Sequence, residues 1–190
     1  MKPIVLAVAA ALAAPLAATA SPVSYAIDPT HTSAMFEALH FGTSTNRGRF
    51  IKNSGTVVLD RAAKTGKVEL TLDMSGISTG VAPFDKHLSG PDFFDVANHP
   101  TATFAGDRLS FAGDKVTEVS GQLTLRGKTA PVTLKAVRFN CYDHPMLKRE
   151  VCGGDFTTTI KRSQWGINWG LQMGVADEVP LIVQVEAIRQ

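Results

Sequence analysis

Apolar and polar residues alternate with a period of two over many short stretches of this chain, and no helical period is sustained between them. Val68, Leu70, Leu72 and Met74 alternate with Glu69, Thr71 and Asp73. Leu123 and Leu125 alternate with Gln122, Thr124 and Arg126, and Val132, Leu134 and Ala136 with Thr133, Lys135 and Val137. Near the C-terminus Leu181, Val183, Val185 and Ala187 alternate with Ile182, Gln184, Glu186 and Ile188. Successive side chains of a strand point to opposite faces, so each stretch predicts a strand with one apolar and one wet face. Ser33–Phe41, Arg49–Leu59, Ala102–Leu109 and Phe156–Lys161 are further candidates, and the expectation is eight strands in all.

Turn signals separate these stretches: Asn53-Ser54-Gly55, Lys64-Thr65-Gly66, Ala112-Gly113-Asp114, Arg126-Gly127-Lys128 and Gly153-Gly154-Asp155. Glycine supplies the positive φ that tight hairpins require. Short strands at this spacing predict an all-β, antiparallel sandwich or barrel rather than a parallel α/β fold. One segment breaks the rhythm. Between Pro83 and Val96, Phe84, Leu88 and Phe93 or Phe94 fall at roughly helical spacing, with Gly90 and Pro91 interrupting. It predicts one or two short helical turns capping an open end of the sheet. No internal repeat or linker divides the chain, so one domain over residues 21–190 is expected.

The first twenty residues read as an address. Lys2 is the only charge before Asp28, eleven apolar residues run from Ile4 to Ala14, and Ala18-Thr19-Ala20 offers a small-residue cleavage site. These are the three regions of a secretory signal peptide, and the run is too short to span a bilayer. No later segment is a transmembrane candidate. The expected product is a soluble protein outside the cytoplasm, in the periplasm.

Composition narrows the partners. Apolar residues make up 44% and charged residues 19%, with a formal net charge of +2. A disordered chain would be less apolar, and a nucleic-acid binder would carry a basic surplus on one face. Cys141 and Cys152 are the two cysteines. An even count in a secreted chain favours a disulfide, which would contribute roughly 3 kcal/mol for so short a loop. A metal site with His144 is the alternative, and it is one ligand short of a tetrahedral set.

No catalytic or cofactor motif stands out. His31, His40, His87, His99 and His144 form no close ligand pair, and there is no G-x-S-x-G, phosphate-binding loop or dinucleotide fingerprint. No metal and no cofactor are therefore expected. Asp85 and His87 are near enough in sequence for acid–base chemistry, though a capping Asp and a locally bonded His account for them as well. The Arg47/Arg49, Lys148-Arg149 and Lys161-Arg162 pairs suit an anionic head group, or simply a solvated surface. An eight-stranded barrel is filled by its own side chains or holds one small ligand. Alternation alone reads the same in both cases.

The segments Tyr25-Ala26-Ile27-Asp28-Pro29-Thr30-His31-Thr32-Ser33, Leu39-His40-Phe41-Gly42, Asp85-Lys86-His87-Leu88, Asp92-Phe93-Phe94-Asp95, His99-Pro100-Thr101-Ala102-Thr103-Phe104, Gly121 to Thr129 and Arg162-Ser163-Gln164-Trp165-Gly166 together resemble the YceI family of bacterial secreted proteins. Their order and spacing carry the resemblance over nearly all of residues 21–190. The resemblance implies an eight-stranded antiparallel lipocalin-like barrel with an elongated internal tunnel, a non-catalytic role, and a long-chain isoprenoid or fatty-acid-like ligand. One position departs from the family pattern: Phe84 stands where Arg usually precedes the Asp-x-His-Leu element. The Cys141–Cys152 pair is not a general family feature either.

The leading expectation is a periplasmic carrier. Its ligand tail would thread between Phe36, Leu70, Leu72, Met74, Leu123, Leu125 and Leu134, and its head would lie near His40, His87 or Arg162. A hydrolase or isomerase of a lipid-like substrate, using His87 with Asp85, is the alternative. A solidly packed barrel serving as a structural or partner-binding protein is a third. The sequence leaves homodimer formation open.

Overall fold

The computed structural model describes residues 21–190; the expected signal peptide, residues 1–20, lies outside the described residues. Eleven strands follow in chain order: β1 (Val23–Ile27), β2 (Ser33–His40), β3 (Ser44–Phe50), β4 (Asn53–Asp60), β5 (Thr65–Asp73), β6 (Ile77–Ser78), β7 (Thr101–Ala112), β8 (Lys115–Leu125), β9 (Lys128–Asp143), β10 (Glu150–Lys161) and β11 (Glu178–Arg189). One helix, α1 (Ala82–Ser89), lies between β6 and β7. The ladder runs β1-β4-β5-β7-β8-β9-β10-β11 and closes by pairing β11 back onto β1. Every pairing is antiparallel. The eight-stranded closed barrel is thus the observed architecture.

The extra strands come from interruptions at one level of the wall. β11 pairs with β1 through Ala187 and with β2 through Gln184. In the same way β3 and β4 follow the edge of β2 and β1, and β6 follows β5. Each of these pairs is one staggered wall with a break. At the first break Pro29 has no N–H to give to a ladder. Asp28 instead accepts from the Thr30 amide at 2.8 Å and the Thr30 hydroxyl at 2.7 Å. Thr32 Oγ1 replaces a ladder group: it donates to Glu186 O at 3.3 Å and accepts from Glu186 N at 3.2 Å. The buried Asn53 donates to Thr32 O at 2.5 Å across the next break. Asp28 to Thr32 therefore shapes the wall rather than a ligand site.

Two of the expected turns are strand interior. Asn53-Ser54-Gly55 opens β4, and Gly153-Gly154-Asp155 lies within β10. Their glycines meet a different requirement. A Cβ on Gly153 would stand 2.2 Å from Val185 O, and one on Gly154 2.1 Å from Arg138 O. Neighbouring strands coil so closely there that no side chain fits. Lys64-Thr65-Gly66, Ala112-Gly113-Asp114 and Arg126-Gly127-Lys128 do lie at hairpin turns.

The expected helical cap is α1 and the turn after it. Pro83 sits in the first turn, where its missing N–H costs nothing. Val81 offers no side-chain cap, and Asp85 fixes the entry instead by accepting from the Thr79 amide and hydroxyl, both at 2.6 Å. Gly90 N donates to His87 O and Pro91 follows, which ends the helix. Leu88 faces the core, while Phe84, Phe93 and Phe94 pack against it half-buried. The 3-10 turn Arg162–Trp165 seats Trp165, only 1% exposed, with its indole N–H donating to Leu123 O at 3.1 Å.

Candidate functional site

Two apolar cavities lie one above the other along the barrel axis. The inner one measures about 60 Å³ and the one beneath α1 about 140 Å³. Each wall passes from one to the other in strand steps: Val68 and Leu70 to Leu72 and Met74 on β5 and the turn after it, Phe156 to Ile160 on β10, and Val185 and Val183 to Leu181 and Val179 on β11. Period-two alternation thus builds one continuous apolar lining. An apolar cavity of the larger size stays dry and accepts hydrocarbon.

The structure places the expected residues at three levels. Phe36, Leu72, Met74, Leu123, Leu125 and Arg162 line the larger cavity. Leu70 and Leu134 line the smaller one. His40 and His87 lie higher, in an outer groove between the β2–β3 hairpin, α1 and residues 169–175. Reasoning from sequence missed Phe104, Phe139 and Phe156 in the inner cavity and Met35, Phe50 and Ile160 in the larger one. The signal for Phe104, Phe156 and Ile160 was present, since they lie within strands expected from the alternation. Ile167 and Val175 carried none, because they reach the lining from an irregular connection.

Arg162 is the one charged residue in either lining, and it is 7% exposed. Its guanidinium donates from Nε to Ala176 O at 2.8 Å and from Nη1 to Ile167 O at 3.0 Å and Trp169 O at 2.8 Å. Nη2 donates to Val175 O at 3.3 Å. The side chain thus gathers the connection between β10 and β11 over the cavity, and one Nη2 hydrogen has no acceptor among the described residues. Burial lowers its pKa, and the Asp177 carboxylate opposes that shift. Burial pushes the Asp177 carboxyl up, but hydrogen bonds from the Ser163 hydroxyl and amide, with the Arg162 and Lys161 cations, hold it below its ordinary value.

Asp85 and His87 do not form an acid–base pair. The Asp85 carboxylate is engaged by Thr79. The His87 ring lies edge-on to Phe93 at 4.9 Å and to Trp169 at 5.4 Å, and those two rings are 5.3 Å apart. Phe84, at the position where the resemblance leads one to expect Arg, lines the same groove. At the far end Cys141 and Cys152 face each other directly across β9 and β10 and are joined by a disulfide, with Cα atoms 4.1 Å apart. Glu150 lies beside the sulfurs but is taken by the Tyr25 hydroxyl at 2.6 Å and by Arg61 at 2.5 Å. The His144 ring turns instead to the amides of Met146 and Leu147, both at 3.2 Å, so the Cys/Cys/His metal site is not assembled.

Comparison with known proteins agrees with this architecture. A UPF0312 protein of Pseudomonas aeruginosa is 35% identical over 178 residues, which is 92% of this chain and 91% of the relative. Protein YceI of Escherichia coli O157:H7 is 33% identical over 177 residues, with the same two shares. Among solved structures, BcnA of Burkholderia cenocepacia superposes with a TM-score of 0.70 at 26% identity, covering 85% of this chain and 99% of that one. A polyisoprenoid binding domain from Saccharophagus degradans shares the fold with a TM-score of 0.65 at 16% identity, covering 88% of this chain and 99% of that domain. The model of the YceI-like domain matches residues 25–187, nearly the whole barrel, and the chain belongs to that family.

Proposed function

We propose that this protein binds and carries a long-chain amphiphile, a polyisoprenoid or fatty-acid-like lipid, in the periplasm. The tail lies in the cavity beneath α1 and extends toward the inner one. The observation that carries this reading is the stacked pair of cavities in a closed barrel, with linings that hold a single charged residue. Burying each methylene there contributes about 0.8 kcal/mol. The polar head sits at the rim groove, where His40 and His87 lie, or accepts the remaining Arg162 hydrogen from below. The solved fold neighbour described as a polyisoprenoid binding domain supports the same ligand class. The signal-peptide reading of residues 1–20 supports the periplasm as its place of action. A lipid-modifying enzyme on this barrel would need a catalytic group other than the Asp85–His87 pair.

The test is uptake of a fluorescent fatty acid by the purified protein. The expected result is saturable uptake, with affinity lowered about tenfold or more by Leu123→Trp, whose indole would occupy the larger cavity. Absence of uptake by the parent protein, for fatty acids and polyprenols alike, would sink the carrier reading.

A further inference from the structure

The groove above the larger cavity is bordered by large apolar side chains that none of the described residues covers. Leu39 and Phe41 on the β2–β3 hairpin, Val81 before α1, and Trp169 and Met173 on the β10–β11 connection are between 37% and 57% exposed. Leu39, Val81 and Trp169 line the groove from three separate elements, and Phe41 and Met173 lie beside them on the same hairpin and connection. Contiguous exposed apolar surface of this kind marks an interaction site.

Charge says what the ring meets. Residues 38–46 and 166–176 contain no Asp or Glu. In 80–89 the one carboxylate, Asp85, is engaged by Thr79. Glu37, just below the hairpin, is neutralised by Arg47 at 2.7 Å. Asp177 is held by Ser163 at 2.7 Å. Asp92, exposed on the turn after α1, lies one residue from Pro91, whose carbonyl accepts from Arg126 at 3.0 Å. The exposed ionisable groups within the three rim segments are Lys86, His40 and His87. An aromatic and aliphatic ring whose one unpaired carboxylate, Asp92, is outnumbered by Lys86 and by Arg126 on the Pro91 and Gly166 carbonyls complements an anionic phospholipid surface.

We propose that this end of the barrel docks on an anionic lipid bilayer, with Trp169, Phe41 and Met173 entering the headgroup layer and the groove opening onto the acyl chains. An amphiphile would then slide between bilayer and cavity without exposing its tail to water. That transfer step rests on the carrier reading above; the docking does not.

Vesicle flotation tests it, using phosphatidylcholine vesicles with and without phosphatidylglycerol. The purified protein is expected to float with the anionic vesicles. Trp169 emission should shift to the blue and be quenched by brominated acyl chains, while Trp165, buried beneath the wall, stays unchanged. The exposed-site variant Leu39→Ser/Val81→Ser/Met173→Ser should keep its fold, seen as an unchanged thermal transition. It should lose vesicle affinity by about tenfold or more. Met146→Ser, at the far β9–β10 turn, should leave flotation unchanged. No flotation of the parent, equal flotation of the triple variant, or loss through Met146→Ser instead would overturn the docking. So would sedimentation showing a dimer in which the same three residues are buried. A parent that floats yet takes up no fatty acid upholds the docking and removes the carrier reading alone.

Discussion

Arg162 holds four main-chain carbonyls around a buried guanidinium, and its removal leaves those carbonyls without partners in a dry environment. Arg162→Met is expected to destabilise the protein by about 2–4 kcal/mol in urea titration. Arg162→Lys should recover only part of this, because a point charge cannot span the fork that the guanidinium fills. A loss below about 1 kcal/mol would mean the connection is held by something else. Asp177 adds a pH dependence. Its pKa lies below the ordinary value, so it contributes stability above that ordinary value, and the contribution is lost as pH falls through the lowered one. Stability should therefore drop below about pH 4, and Asp177→Asn should flatten that part of the profile in urea titrations run across the acid range. Sequence singled out Arg162 as a head-group ligand because it saw a basic pair. It could not see that the irregular connection folds its carbonyls onto the charge, since backbone acceptors have no sequence signature.

At the level of elements, the walls were legible because the alternation is strict where one face is dry, as along Val68 to Met74. The glycines were less so. Gly153 and Gly154 read as a turn, yet they serve the close coiling of β10 against β9 and β11, because absence of a side chain suits both situations equally. Gly48 follows the same logic at the cavity. It faces Phe36 across β2 and β3, and a Cβ there would stand 2.4 Å from the Phe36 ring. Gly48→Ala should therefore press that ring into the larger cavity and weaken fatty-acid binding about fivefold, roughly 1 kcal/mol, without unfolding the barrel. Unchanged affinity would show that the tail does not reach Phe36. The disulfide clips the far ends of β9 and β10, where Cys152 also lines the inner cavity. Its removal by Cys141→Ser/Cys152→Ser should cost about 3 kcal/mol, seen as a fall of about 6–12 °C in Tm.

For the molecule as a whole, the decisive property is a closed wall around an apolar interior that its own side chains do not fill. Closure came from the resemblance, since the count of alternating stretches fitted a sandwich as well as a barrel. The hollow too was implied by the resemblance and not by the alternation, because a packed and an open lumen present the same inward-facing Leu, Val and Phe. The difference lies in how Phe36, Phe50 and Phe94 stack against one another at 5.2–6.1 Å beneath α1, a tertiary fact. Their stacking leaves the cavity below the helix, and the helix with the Arg162-bound connection covers it. Native mass spectrometry of freshly purified protein tests this most directly. The account predicts a bound mass of one amphiphile per chain, released into organic solvent and strongly reduced in Leu123→Trp. A protein that flies at its bare polypeptide mass, and gains none when offered fatty acids or polyprenols, would contradict it.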